Sequence, residues 1–139
     1  MFDFLKIQVF PEVNGTVTMN GQAVKGASVK LVYDYNDKEN TIETVTGENG
    51  EFHFNEKYIH TVRLILPFET SIHQQITIYY NHNTYIAWRT TKYAHKEDPA
   101  ISKKLSSLNC ELTNEEKRHL INPASPVKHG AYSVARWKN

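Results

Sequence analysis

The side chains best equipped for chemistry in this chain are seven histidines and one cysteine. His53, His60, His73, His82, His95, His119 and His129 are numerous enough for a metal cluster. None stands in a His-x-x-x-His pair, however, and Cys110 has no second cysteine with which to form a clamp. His53 lies on the strand face opposite Phe52 and Phe54, which suits an exposed or hydrogen-bonded imidazole better than a ligand, and His82 falls in a turn. Cys110 stands beside Glu111, a neighbour that disfavours a thiolate, and it reads as a small buried apolar residue. The chain has no Gly-x-Ser-x-Gly elbow and no glycine-rich phosphate loop. Glu115 and Glu116 would point in different directions on a helix, which suits a helix N-terminus better than a general acid and base. The expectation is no catalytic residue, no metal ligand and no cofactor.

Binding chemistry is better represented. Tyr79, Tyr80, Tyr85, Trp88 and Tyr93 fall within fifteen residues of a chain that is 12% aromatic. In a hairpin, Tyr80 and Trp88 would fill the core while Tyr79, Tyr85 and Tyr93 take the opposite face, with Arg89 and His82 close by. Sandwich cores need large aromatics for packing alone. Flat rings beside a planar cation also make a protein-facing patch, and flat rings by themselves make a platform for sugars. The expected partner-binding residues are Tyr79, Tyr85, Arg89 and Tyr93.

The elements that must position these residues are strands. Lys6 to Phe10 alternates around Ile7 and Val9 until Pro11, Gly15 to Met19 places Val17 and Met19 on one side, and Asn20-Gly21 is a tight-turn signal. Ser28 to Tyr35 has period two, with Val29, Leu31, Tyr33 and Tyr35 on one face. After a polar turn at Asp37 to Asn40, Thr41 to Thr46 has high strand propensity, and Asn49-Gly50 is expected to close a hairpin onto Glu51 to Asn55 with Phe52 and Phe54 inward. Thr61 to Leu66 carries Val62, Leu64 and Leu66 in alternation. Gln75 to Tyr80 and Tyr85 to Thr91 form a pair, with Ile86 and Trp88 on one face. Eight short strands separated by Gly, Asn and Pro argue for an all-β, antiparallel two-sheet sandwich.

The pattern changes from Tyr93. Asp98-Pro99 resembles a helix start that puts Ile101, Leu105 and Leu108 on one stripe, although the stretch also reads as an irregular connection. The stronger helix signal is Thr113-Asn114-Glu115-Glu116, a capping-box spacing followed by Leu120-Ile121. Residues 122 to 130 read as a loop, and Ala131 to Trp137 returns as a strand whose inward face the alternation does not decide. Leu108, Cys110, Leu112, Leu120, Ile121, Tyr132 and Val134 are too many apolar residues for a free arm, so residues 93–139 are expected to extend one domain spanning 1–139.

Length and charge set the outer bounds. At 139 residues and 16.1 kDa the chain suits one compact domain. Residues 1–88 hold 6 Lys/Arg and 10 Asp/Glu, whereas residues 89–139 hold 10 and 5. The basic residues of the second part are scattered among acidic ones, which describes a solvated mixed surface and not a nucleic-acid footprint. No run of 18 apolar residues and no basic start followed by an apolar stretch is present. The expectation is no membrane and a cytoplasmic site, or a periplasmic one if an export signal preceded the chain.

Gly15-Thr16-Val17, Asn20-Gly21, Val24, Gly26-Ala27-Ser28-Val29, Thr46, Asn49-Gly50, Glu51-Phe52 and Phe54 together resemble the opening of carboxypeptidase-regulatory-like, or transthyretin-like, β-sandwich domains. The resemblance covers about residues 13 to 66 and implies a prealbumin-like (Ig-like) sandwich. The tail, with Cys110, Leu112, Ile121-Asn122-Pro123 and Gly130-Ala131-Tyr132-Ser133 to Trp137, further resembles a bacterial family of unknown function that extends this sandwich with a short helix. Transthyretin-like hydrolases that open purine-derived rings end in Tyr-Arg-Gly-Ser. This chain ends Ala135-Arg136-Trp137-Lys138-Asn139, a departure that removes their tail chemistry. The functional expectation is a non-enzymatic domain that binds a protein, in its concrete version a bacterial immunity protein covering the active site of a secreted toxin. The alternative is a carbohydrate-binding or surface-adhesion module.

Overall fold

The computed structural model of the chain describes residues 4–35, 38–62, 71–92, 99–121 and 130–136, with the side chains of 4–6 and 60–62 left out. In chain order the elements are β1 (Phe4–Phe10), β2 (Val13–Met19), β3 (Gln22–Ala23), β4 (Ser28–Tyr35), β5 (Lys38–Val45), β6 (Glu51–Phe54), β7 (Lys57–Val62), β8 (Ile72–Tyr80), β9 (Asn83–Lys92), α1 (Pro99–Leu105), β10 (Leu108–Glu111), β11 (Lys117–Leu120), β12 (Gly130–Ser133) and β13 (Ala135–Arg136). A six-stranded sheet runs β11-β12-β9-β8-β4-β5. It faces a five-stranded sheet in which β13, β10 and β2 are adjacent and β3 and β6 share the other side of β2, while β1 and β7 pair separately.

Alternation in the strands builds the core, because the inward residues of both sheets must bury their apolar surface against each other. Val17, Val29, Leu31, Ile76, Ile78 and Trp88 are fully buried and Phe52 and Phe54 nearly so, as their spacing predicts. Val62 and Leu64, assigned to the same core from sequence, lie outside the described side chains. A second small cluster of Ile7, Val9 and Ile72 sits under β1 and β7. Side-chain donors fasten β1 here. The β1–β7 ladder shifts register between Gln8 and Phe10. Beside this bulge Gln74 Nε2 donates to the Val9 carbonyl at 2.7 Å and Lys92 Nζ to the Gln8 carbonyl at 2.8 Å. Trp88 Nε1 donates to Gln74 Oε1 at 3.1 Å, so the buried amide is held at both ends.

Turn chemistry accounts for the first hairpin. Asn20 and Gly21 have φ of 53° and 79°, the left-handed pair that a two-residue turn between twisted strands requires, and Met19 faces Gln22 across it. Other expectations need correction. Lys38 to Asn40 belong to β5 and not to a turn. Asn49-Gly50 does close a turn, but β5 and β6 do not pair. The chain crosses between sheets there, and β6 lies against β2. Thr46 secures the crossing, its hydroxyl donating to the Val24 carbonyl and accepting from the Ala27 N–H.

The tail is woven into both sheets. Helix α1 forms where Pro99 predicts it and buries Ile101 and Leu105, with Lys103 and Lys104 in its last turn, where the helix dipole favours cations. The cap assigned to Asp98 lies outside the described residues. Leu108 leaves the helical stripe for β10, which runs parallel to β2 with Leu108 opposite Gly15, an exception to an otherwise antiparallel pattern. The helix expected from Thr113 does not form. Glu111 Oε2 accepts both the Thr113 hydroxyl and its N–H, which takes the capping side chain away from residue 116, and Lys117–Leu120 pairs with β12 instead. β13 adds to β10, and β12 touches β9 at Tyr132 and Arg89.

Candidate functional site

One register row crosses the entire six-stranded sheet: Thr41, Val32, Gln75, Arg89, Tyr132 and Arg118 stand opposite one another in succession, one from each strand. Because side chains alternate along a strand, all six project from the same face. It is the outer one, since the next residues, Leu31, Ile76, Trp88 and Ala131, are buried in the core. A parallel row of Glu39, Asp34, His73 and Thr91 lies beside it, with His73 Nδ1 3.0 Å from Thr91 Oγ1. Together the rows, Thr41 excepted, line a shallow cleft of about 550 Å³. Its β4–β5 end is acidic, through Asp34 and Glu39, and its β9–β12–β11 end is cationic and aromatic.

The cationic end is organised. The Arg89 guanidinium carbon lies 5.0 Å from the centroid of the Tyr132 ring, within cation–π range, and its Nη2 is 3.2 Å from Glu116 Oε1. The long side chain lies across the ring with the carboxylate beside it, half-exposed at the surface. Tyr132 remains 41% exposed. On the inner side of β11, His119 is pushed below the ordinary imidazole range by burial first; the Ser133 carbonyl opposes the shift, while Arg136, Lys104 and Lys117 reinforce it. Among the described residues no group of three or more His, Cys, Asp or Glu is placed to hold a metal ion.

The four residues assigned to partner binding from sequence are not gathered. Arg89 is in the cleft. Tyr79 is exposed on the same face but four residues further along β8 than Gln75, about 13 Å away at strand rise. Tyr85 is turned inward: it stands opposite buried Ile78 and packs half-buried on the core. The cause is a bulge in β9. Trp88 faces Ile76 but Ile86 faces Thr77, so one extra residue, Ala87, reverses the alternation, puts Ile86 and Trp88 on different faces and sends Tyr85 to the core side. Tyr93 lies outside the described residues.

Sequence reasoning missed Tyr132, Arg118 and Glu116 as site residues. The inward face of Ala131 to Trp137 is undecided from sequence; Tyr132 faces solvent while its neighbours Ala131 and Ser133 are buried. Ser133 donates its hydroxyl to the Ala87 carbonyl and accepts the Ala135 N–H, so a polar residue takes the inward position that would have marked the face.

Residues 13–115 match DUF6795, a domain of unknown function. The chain belongs to that family. The DUF6795 match spans β2 to β10 and thus both sheets of the sandwich, and it ends before β11, β12 and β13, which supply Arg118 and Tyr132. No curated protein and no solved structure matches the chain. No helix among the described residues is long and apolar enough to cross a membrane.

Proposed function

We propose that this DUF6795 domain is a non-enzymatic, protein-binding β-sandwich whose contact surface is the cleft on the outer face of the six-stranded sheet. The observation that carries the reading is the side-by-side placement of Arg89, Tyr132 and Arg118 on three adjacent strands, with Arg89 paired to Glu116. Tyr and Arg held in one conformation lose little entropy on binding, which is why these residue types dominate interface anchors. The cationic end calls for carboxylates on the partner, and Asp34 and Glu39 at the other end call for a cation, so the cleft imposes one orientation. An immunity protein that covers a toxin's catalytic cleft is a concrete version of this reading. The Gly15 to Phe54 pattern supports kinship with carboxypeptidase-regulatory-like sandwiches as the scaffold.

A carbohydrate platform is less favoured for a specific reason. The guanidinium of Arg89 lies over the Tyr132 ring, on a face that a sugar would need for stacking. The deciding experiment is capture of a stoichiometric protein partner from the native cell, followed by titration with Arg89→Ala, Tyr132→Ala and Tyr79→Ala variants beside a glycan panel. Arg89→Ala and Tyr132→Ala should each weaken partner binding by roughly 1 to 3 kcal/mol, with Tyr79→Ala having a smaller effect. Full affinity in both cleft variants would remove this surface, and saturable glycan binding lost with Tyr132 would replace the protein by a sugar.

A further inference from the structure

We infer that β5 is a self-association strand, through which two copies of the chain join their six-stranded sheets about a two-fold axis. The two edges of that sheet are unlike. β11 is only four residues long, and a short edge discourages pairing. β5 is eight residues long, pairs with β4 over its full length without a register shift and contains no proline; it carries Lys38, Glu39 and Glu43 and is exposed except at half-buried Ile42 and Thr44. Among the described residues no strand pairs with its other side.

The backbone direction at this edge follows from one bond. Thr46 N–H donates to the Ala27 carbonyl at 2.9 Å, so Thr46 turns its peptide groups toward β4. Direction alternates along an antiparallel strand, which points residues 38, 40, 42 and 44 at β4 and leaves Glu39, Thr41, Glu43 and Val45 with outward N–H and C=O groups. A second β5 running antiparallel can satisfy these four positions in several registers, and charge selects among them. Shifts that put Thr41 opposite itself, or Glu43 opposite itself, set glutamates directly against each other. The register centred on Ile42 pairs the stretch from Glu39 to Val45 and places Glu39 opposite Val45 of the second copy and Thr41 opposite Glu43 of the second copy. No like charges then stand opposite, and about eight backbone hydrogen bonds form across the axis. Glu43 is further neutralised by Lys30, whose Nζ lies 3.9 Å away. The inward residues fit as well, since partly buried Ile42 meets its own copy on the core side.

The test is sedimentation velocity of the full chain over a concentration series. Two substitutions at one exposed site, Val45→Lys and Val45→Glu, should move the monomer–dimer constant in opposite directions, because each faces Glu39 of the second copy. Lysine should tighten and glutamate weaken association by roughly threefold to tenfold, with both effects reduced by salt. Thr41→Pro removes an outward N–H and no bond to β4, so it should leave the circular dichroism spectrum unchanged and lower association at least roughly tenfold. A chain that stays monomeric to millimolar concentration, a dimer that responds alike to both Val45 substitutions, or assemblies that grow beyond two copies would each overturn the inference.

Discussion

Gly15 stands directly opposite Phe52 in the antiparallel β2–β6 ladder, and the Phe52 ring lies over the glycine, occupying the space that a Cβ at residue 15 would need. A glycine inside a strand ordinarily leaves a gap. Here the cross-strand aromatic covers it, and Phe52 reaches the core by crossing over its partner's backbone.

Gly15→Ala should therefore destabilise by about 1 to 3 kcal/mol through overpacking against a ring that is itself buried, and Phe52→Ala by about 3 to 5 kcal/mol. The double variant should cost clearly less than the sum, because truncating the ring makes room for the methyl group. Urea denaturation of the four proteins measures the coupling; strict additivity would mean that the two residues do not share space.

Cys110 is 1% exposed on β10, and burial pushes its thiol up to about 12. Labelling by an aromatic disulfide reagent at pH 8 should proceed only through opening of the structure, and its rate should rise steeply as urea approaches the unfolding midpoint. Immediate stoichiometric labelling in native buffer would contradict a buried β10.

Glu111 supplies the pH dependence. Desolvation alone would raise its carboxyl. The Thr113 hydroxyl and the N–H groups of Gly21, Thr113 and Asn20 donate to it and bring it down from 4.5 to about 2. A depressed folded value means that its contribution is complete above the ordinary carboxylate range and is lost as pH falls from about 4.5 toward 2. Urea midpoints at pH 7 and pH 3 should differ more in the wild type than in Glu111→Gln. Equal differences would show that this carboxylate does not link β10 to the β2–β3 turn.

Ser133 bonds to the backbone of both β9 and β13 while fully buried. Ser133→Ala leaves the Ala87 carbonyl and the Ala135 N–H short of a partner and should cost about 1 to 3 kcal/mol. Thermal unfolding would register it, and an unchanged midpoint would mean that the tail docks without this serine.

Most of the sandwich was legible because its strands are long enough to show a period. Ser28–Tyr35 and Ile72–Tyr80 alternate over eight or nine residues, and their buried faces follow directly. The tail strands are two to four residues long, too short for a period, and Thr113-Asn114-Glu115-Glu116 carries a local helix signal that Glu111 overrides through tertiary bonding. The site was half legible. Arg89, singled out from its aromatic neighbourhood, lies in the candidate cleft, but Tyr85 was placed on the wrong face because nothing local marks the bulge at Ala87. Tyr132 could only be recognised once its strand was seated beside β9.

The parallel seat of β10 on β2 also sets a schedule. Gly15 waits for Leu108, and Thr90 waits for the Gly130 carbonyl, so neither sheet acquires its last neighbours until the chain beyond residue 108 has been made. Such distant pairings carry the entropy of closing very long loops before any contact repays it, and they make folding slow. While ribosomes are still adding those residues, β2 and β9 present unpaired edges. The nascent chain is therefore vulnerable to aggregation and proteolysis until the strands from Leu108 to Arg136 have emerged and docked.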